Sequence, residues 1–468
     1  MDEISVYNTI MVKNLTVGNP LKVILVFTIP LYFGNLFQQS YNIFDTYIVG
    51  QIIGLNALAA VGCTGSISFL ILGFINGFGI GAAVITSQRF GAGDIAGVKK
   101  SFAATIIISI GLAFALTLIS VLAARPLLEF LKTPLEIIDN AYIYIVTIFF
   151  GIPTAMLFNL FANILRAVGD SRTPLYFLGV ACILNIMLDL FFILILNAGL
   201  RAVALATIIS QLAAGLLCLI FIIKKMPVLH ISSSEWRVEL KEITSHLKIA
   251  LPVGFQMSII AIGSITVTYA LNQLGTQAVT AFTGANRIDV IAFMLLMSFG
   301  GAMTTYTAQN YGARQIARIR KGIMQVSIIA IIYCITTAFV FVFSGYFFPE
   351  IFLGRDSIEV LSMARTYLVI NTCFYILLAM LFIIRQSLLG LGDSVTPTIA
   401  GIMELVMRMF AAIFLGRAIG FTGICFANPL AWAGALIPLI IAFTIRMKKL
   451  KKMLTDAGLE PAAFSSGG

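Results

Sequence analysis

The sequence predicts an all-α polytopic membrane protein: twelve transmembrane helices arranged as two parallel six-helix repeats. Three observations predict it. Of the 468 residues, 60% are apolar and 11% charged, with a mean hydropathy of +1.02. A soluble domain carries roughly 25% charged residues, so 30 basic and 20 acidic side chains cannot clothe a water-facing globule of this length. A soluble enzyme, a nucleic-acid-binding protein and a disordered chain are thereby excluded. The apolar residues also fall in long runs, and a run in lipid must satisfy its own backbone, which a helix does. Finally, the second half of the chain echoes the first.

A span needs about 20 predominantly apolar residues. Twelve runs qualify, at about 22–48, 56–87, 100–123, 136–162, 173–196, 200–223, 244–272, 277–307, 322–346, 358–386, 395–416 and 421–445. Several exceed the minimum, which implies tilt or extension past the hydrocarbon. The longest polar stretch, 224–243, holds His230, Ser232, Ser233, Ser234, Glu235, Trp236 and Arg237 and reads as a linker. It divides the chain into an N-terminal segment (1–21), an N-lobe (22–223), the linker (224–243), a C-lobe (244–446) and a tail (447–468). Asp2 and Glu3 stand where a cleavable signal peptide would be basic, so none is expected. The six cysteines lie in apolar runs without CxxC spacing. Neither a disulfide framework nor a zinc site is expected.

Basic residues set the orientation. With both termini cytoplasmic, the inner segments hold 22 of the 30 basic residues, Arg89, Lys99, Lys100 and Arg385 among them. The outer segments hold six, and Arg287 and Arg408 lie inside spans. That asymmetry predicts a plasma-membrane (inner-membrane) protein with both ends inside. It also assigns the basic charge to anionic lipid rather than to nucleic acid.

The repeat appears at an offset near 221 residues. Pro30 answers to Pro252, and Ser87-Gln88-Arg89-Phe90-Gly91-Ala92 to Ala308-Gln309-Asn310-Tyr311-Gly312-Ala313. Gly169-Asp170-Ser171-Arg172-Thr173-Pro174 answers to Gly392-Asp393-Ser394-Val395-Thr396-Pro397, and Gly199 to Gly420. Six crossings are an even number, so the repeats are parallel and their pseudo-twofold runs along the membrane normal. Transporters so built hold substrate between the halves, near the midplane. The Gly-Asp-Ser-x-Thr-Pro segments suit tight turns with helix caps. Pro30 and Pro252 interrupt their helices' hydrogen-bond ladders and are candidate hinges.

Ionisable groups inside a span are costly and mark function by default. The first span places Gln38, Tyr41, Asn42 and Asp45 on one helical face, at i, i+3, i+4 and i+7. The fifth places Asn185 one turn before Asp189, the fourth carries Asn159 and Asn163, and Thr207 lies two turns into the sixth. Carboxyl, amide and hydroxyl oxygens suit Na⁺ or a proton, not a soft metal. Two carboxyls close together in low dielectric do not both stay charged, so Asp45 and Asp189 form a candidate proton carrier. The alternative is that they only cross-link helices through hydrogen bonds. In the second half, Glu404 and Arg408 are i, i+4 and can neutralise each other. With Arg287 and Asp289 they form a candidate charge network, a structural or coupling lock rather than a cation carrier. No nucleophile–base pair is evident, and the two histidines, His230 and His246, lie in or beside the linker. No enzymatic activity and no cofactor are expected.

Taken together, Leu15-Thr16-x-Gly18-x-Pro20-Leu21, the Pro30–Asp45 stretch running into Asp45-Thr46-x-x-Val49-Gly50, Gln88-Arg89-x-Gly91-Ala92, Arg166-Ala167-x-Gly169-Asp170 and Gly392-Asp393-x-x-Thr396-Pro397 resemble the multidrug and toxic compound extrusion (MATE) family. The likeness spans about residues 15–450. It implies the MATE fold, with two six-helix lobes about a central cleft. It also implies antiport of small organic, often cationic and amphipathic compounds against H⁺ or Na⁺, by a monomer. Similarity to the DinF-like prokaryotic branch implies a cation site at Asp45, Asn185, Asp189 and Thr207, with Gln38 and Asn159 nearby. The NorM-like branch carries an acid on the seventh helix, and this chain has none there. The alternative within the same superfamily is a flippase for a lipid-linked oligosaccharide or peptidoglycan precursor.

Overall fold

A computed structural model describes residues 14–196, 198–355 and 357–456. Most of the N-terminal segment and the tail beyond 456 lie outside the described residues. Among those described there is no strand.

The first half begins with α1 (Pro20–Ile48), which passes into a π-helical turn at Val49–Ile53. It continues with α2 (Leu55–Gly91), α3 (Ile95–Phe130), α4 (Leu135–Phe150) and α5 (Ile152–Ala167). Next come α6 (Arg172–Leu190), with its own π turn at Phe191–Ile195, and α7 (Gly199–Lys225). A short 3₁₀ turn, Pro227–Leu229, starts the linker. The second half comprises α8 (Leu240–Asn272), α9 (Thr276–Gly312), α10 (Ile316–Phe343), the short α11 (Phe347–Leu353), α12 (Ile358–Cys373) and α13 (Tyr375–Gly390). It ends with α14 (Val395–Phe410), a third π turn at Ala411–Leu415, α15 (Gly416–Cys425) and α16 (Ala427–Asp456). Among the described residues ten helices are long and apolar enough to cross a membrane, and two bent pairs bring the number to twelve when each pair counts as one span.

Those bent pairs correct the continuous fourth and tenth spans of the sequence reading. The axes of α4 and α5 meet at 44°, and those of α12 and α13 at 49°. At the first break Gly151 leaves no room for a Cβ, which would collide with the Ile208 side chain. Pro153 sits in the first turn of α5, where its missing N–H is harmless. By contrast, α1 and α8 run as unbroken helices through Pro30 and Pro252.

The repeat is written into the backbone. Gly169 and Gly392 have φ of 94° and 84°, and Gly199 and Gly420 have 63° and 62°. These are left-handed values that favour glycine. In the first turn Asp170 Oδ1 accepts the N–H of Arg172 and of Thr173, both at 3.0 Å. In the second, Asp393 Oδ1 accepts the N–H of Thr396 at 3.1 Å and Oδ2 its hydroxyl at 2.8 Å.

The chain forms two compact units: Ile29–Ser258, and Leu15–Thr28 together with the chain from Ile259 onward. In the first, α8 packs closely on α2. A Cβ at Gly81 would lie 2.7 Å from Ala250 Cα, so only glycine permits that approach. Arg89 at the end of α2 pairs with Glu242 in the first turn of α8 at 2.7 Å. Two turns into the same helix, buried His246 meets Ser101 Oγ through Nε2 at 2.7 Å. These contacts place the first half of α8 in the first unit. In the second unit, Gln309 Oε1 accepts the Leu15 N–H at 2.9 Å and Asn310 Nδ2 donates to the Leu15 carbonyl at 3.2 Å. Arg318 adds hydrogen bonds to the carbonyls of Gly18 and Leu15.

Candidate functional site

In the first unit, α1, α6 and α7 bring Asp45, Asp189 and Thr207 together, and the two carboxyls lie beside each other. Helical spacing does the local work. Tyr41 precedes Asp45 by one turn on α1, and Asn185 precedes Asp189 by one turn on α6. Tyr41 lies against Thr207 and Asp45. Each aspartate stands just before a π turn, Val49–Ile53 after Asp45 and Phe191–Ile195 after Asp189. Such bulges recur at functional sites because they loosen the backbone ladder.

The hydrogen-bond inventory decides what this arrangement can do. Asn185 and Asp189 are fully buried, with 0% of their surface exposed. Both side-chain atoms of Asn185, both carboxylate oxygens of Asp189 and one oxygen of Asp45 are buried without a hydrogen bond. Thr207 Oγ1 lies 3.1 Å from the Val203 carbonyl and also within hydrogen-bonding reach of Asp45 and Tyr41, so three acceptors compete for its single proton. Among the described residues no Lys, Arg or His pairs with either aspartate. Carboxyl oxygens therefore lie together with no base beside them, and the nearby donors Asn185 Nδ2 and the Tyr41 hydroxyl make no hydrogen bond to them. A buried unsatisfied polar group costs about 1–3 kcal/mol, and a proton shared between the carboxyls or a small hard cation among the oxygens removes that cost.

The other polar residues of this half make contacts of their own or are exposed. Asn159 and Asn163 turn back onto their own helix, donating to the carbonyls of Ala155 and Asn159 at 2.9 Å each. Arg166 donates to Asn163 Oδ1 at 3.3 Å. A Cβ at Gly79 would lie 2.9 Å from Asn163 Nδ2, so these amides serve the α2–α5 contact. Gln38 and Asn42 are exposed. Conversely, the sequence reading missed Tyr144 on α4, which lies near enough to feel the charge of both aspartates. Its signal was a phenol within an apolar span.

In the second unit the expected network of Arg287, Asp289, Glu404 and Arg408 divides in two, which corrects the sequence reading. Glu404 on α14 accepts from Arg385 Nη2 at 2.7 Å and from Arg408 Nη2 at 2.9 Å, and all three side chains are buried. Arg385, assigned above to an inner segment, thus lies buried on α13. Asp289 accepts from the Tyr367 hydroxyl at 3.0 Å and from the Tyr375 hydroxyl. Asn428 donates in turn to Tyr367 and to Asn371 Oδ1, both at 3.3 Å. Arg287 is exposed: two residues from Asp289, it points to another side of α9, as helical geometry requires.

A sequence model of the MatE family matches residues 30–191 and 252–414. The chain belongs to the MatE family. The first match encloses Asp45 and Asp189 and the second encloses Asp289, Glu404 and Arg408, while Thr207 falls between them. This MatE protein is 32% identical over 306 residues to the probable multidrug resistance protein YpnP of Bacillus subtilis, covering 65% of this chain and 68% of YpnP. It is 23% identical over 427 residues to the FAD transporter of Shewanella oneidensis, covering 87% of this chain and 91% of that protein. A crystal structure of MATE in complex with MaL6 shares its fold, with a TM-score of 0.86 at 22% identity over 94% of this chain and 99% of that one.

Proposed function

We propose that this MatE protein is a secondary antiporter of the plasma membrane, with both termini cytoplasmic. It exports organic compounds while H⁺ or Na⁺ enters. The observation that carries the reading is the set of buried, unsatisfied oxygens around Asp45 and Asp189. The coupling ion binds there, with Asn185, Thr207 and Tyr41 as neighbours. Binding neutralises the pair and favours the state that releases the exported compound. Reorientation returns the ion inward. Antiport then needs only that each ligand prefer a different state. YpnP's name supports drug-like cargo, and the FAD transporter's name supports organic cargo of a different charge.

A flippase for a lipid-linked pyrophosphate is the weaker reading. It needs a cluster of free buried cations, and here Arg385 and Arg408 both engage Glu404, Arg287 is exposed, and Arg166, which donates to Asn163 Oδ1, stands alone. Efflux of a cationic dye from proteoliposomes under an imposed pH or Na⁺ gradient tests the proposal. Wild-type efflux should follow the gradient. Asp45→Asn and Asp189→Asn should each slow it by about tenfold or more, the scale of a coupling of ~1–3 kcal/mol. Gradient-driven efflux at the wild-type rate in either variant would refute the assignment.

A further inference from the structure

The linker presents an amphipathic patch that antiport does not use. It joins the end of α7 at Lys225 to the start of α8 at Leu240. Both helices are long and apolar enough to span, so the segment between them lies outside the hydrocarbon, on one face of the membrane. Its first part is bolted down: Met226, Val228 and Leu229 are buried in one apolar cluster with Phe161 and Leu165. A tight turn follows, in which the Ser232 N–H donates to Glu235 Oε2 at 2.6 Å. Beyond this turn Trp236 is 46% exposed and Leu240 74% exposed. Exposed basic residues flank them: Lys224, Lys225, Arg237 and Lys241. The acids nearby are Glu235, held by Ser232 near Lys99 and Lys100, the exposed Glu239, and, lining one cleft with Arg237 and Lys100, Asp94, which accepts the Gly97 N–H, and Glu242, which pairs with Arg89.

We propose that this patch docks on anionic phospholipid headgroups, with Trp236 and Leu240 seated in the interface and Arg237 and Lys241 on the phosphates. An indole favours the headgroup level, and basic residues at that level are drawn to an anionic leaflet. A rigid linker seated in this way fixes the depth at which α7 ends and α8 begins, independently of any transported ligand.

The chain has two tryptophans, and the other, Trp432, is 5% exposed. Full-length Trp432→Phe protein therefore reports on Trp236 alone. Should that variant misfold, the difference between wild type and Trp236→Phe gives the same signal. The protein is reconstituted into vesicles of phosphatidylcholine, with or without phosphatidylglycerol, whose acyl chains are brominated near the carbonyl. Trp236 emission is expected to be quenched by the brominated lipid in anionic vesicles and shielded from aqueous acrylamide. Replacing Arg237 or Lys241 with glutamine should weaken seating about fivefold per residue. Acrylamide access without lipid quenching would overturn the proposal, and equal quenching in neutral and anionic vesicles would overturn the headgroup assignment.

Discussion

The two units of this MatE protein bury carboxyls in opposite ways. In the first, Asp45 and Asp189 meet each other, with no base and with oxygens left unsatisfied. In the second, Glu404 lies between two guanidinium groups. Asp189 and Glu404 lie on equivalent helices of the repeat, α6 and α14, each running into a π turn, with Glu404 about two turns earlier along its helix. The difference teaches that duplication preserved the scaffold and changed the charge balance. A carboxyl held by two arginines has no reason to exchange a cation. A carboxyl held by none must find a cation or a proton, which is what the proposed antiport requires of it.

The sharpest way to break this comparison is to remove the compensated carboxyl. Glu404→Gln leaves two buried guanidinium groups without a counter-charge, and removing one partner of a buried ion pair costs about 3–5 kcal/mol. Folded yield and thermal midpoint in detergent should fall steeply. Asp189→Asn, which removes an uncompensated charge, should leave both nearly unchanged. A smaller loss is expected from Tyr375→Phe, which withdraws one donor from buried Asp289 at about 1–3 kcal/mol. A shift in the same midpoint reads it.

How far the sequence led differs between the units for the same physical reason. Helical spacing on single elements was legible, so Asp45 with Tyr41, Asp189 with Asn185, and Glu404 with Arg408 all stood out. What needed a second helix was not. Tyr144 comes near the aspartates from α4, Tyr367 and Tyr375 reach Asp289 from α12 and α13, and Arg385 reaches Glu404 from α13. Arg385 was read as an inner-segment charge because it stands near the end of an apolar run, where its burial depends on helix packing. The bends also escaped. Proline marks a missing hydrogen bond, yet the chain turns at Gly151 and Phe374, where packing decides.

The smallest predicted effects test sameness rather than difference. Gly199 and Gly420 share a left-handed φ, and an added Cβ at either meets nothing within 4 Å. Gly199→Ala and Gly420→Ala should therefore each cost backbone strain alone, about 1–3 kcal/mol, with losses of similar size. Thermal midpoints that differ widely would show that the repeat's turns are not equivalent.

The most direct test of the charge-exchange account is ion release on drug binding. Purified protein in weakly buffered solution, or equilibrated with radioactive Na⁺, is titrated with a transported dye. Wild-type protein should give up about one ion per dye bound, since each ligand must prefer a different state. Asp45→Asn and Asp189→Asn proteins should still bind dye and release nothing. Undiminished release from both variants would contradict it.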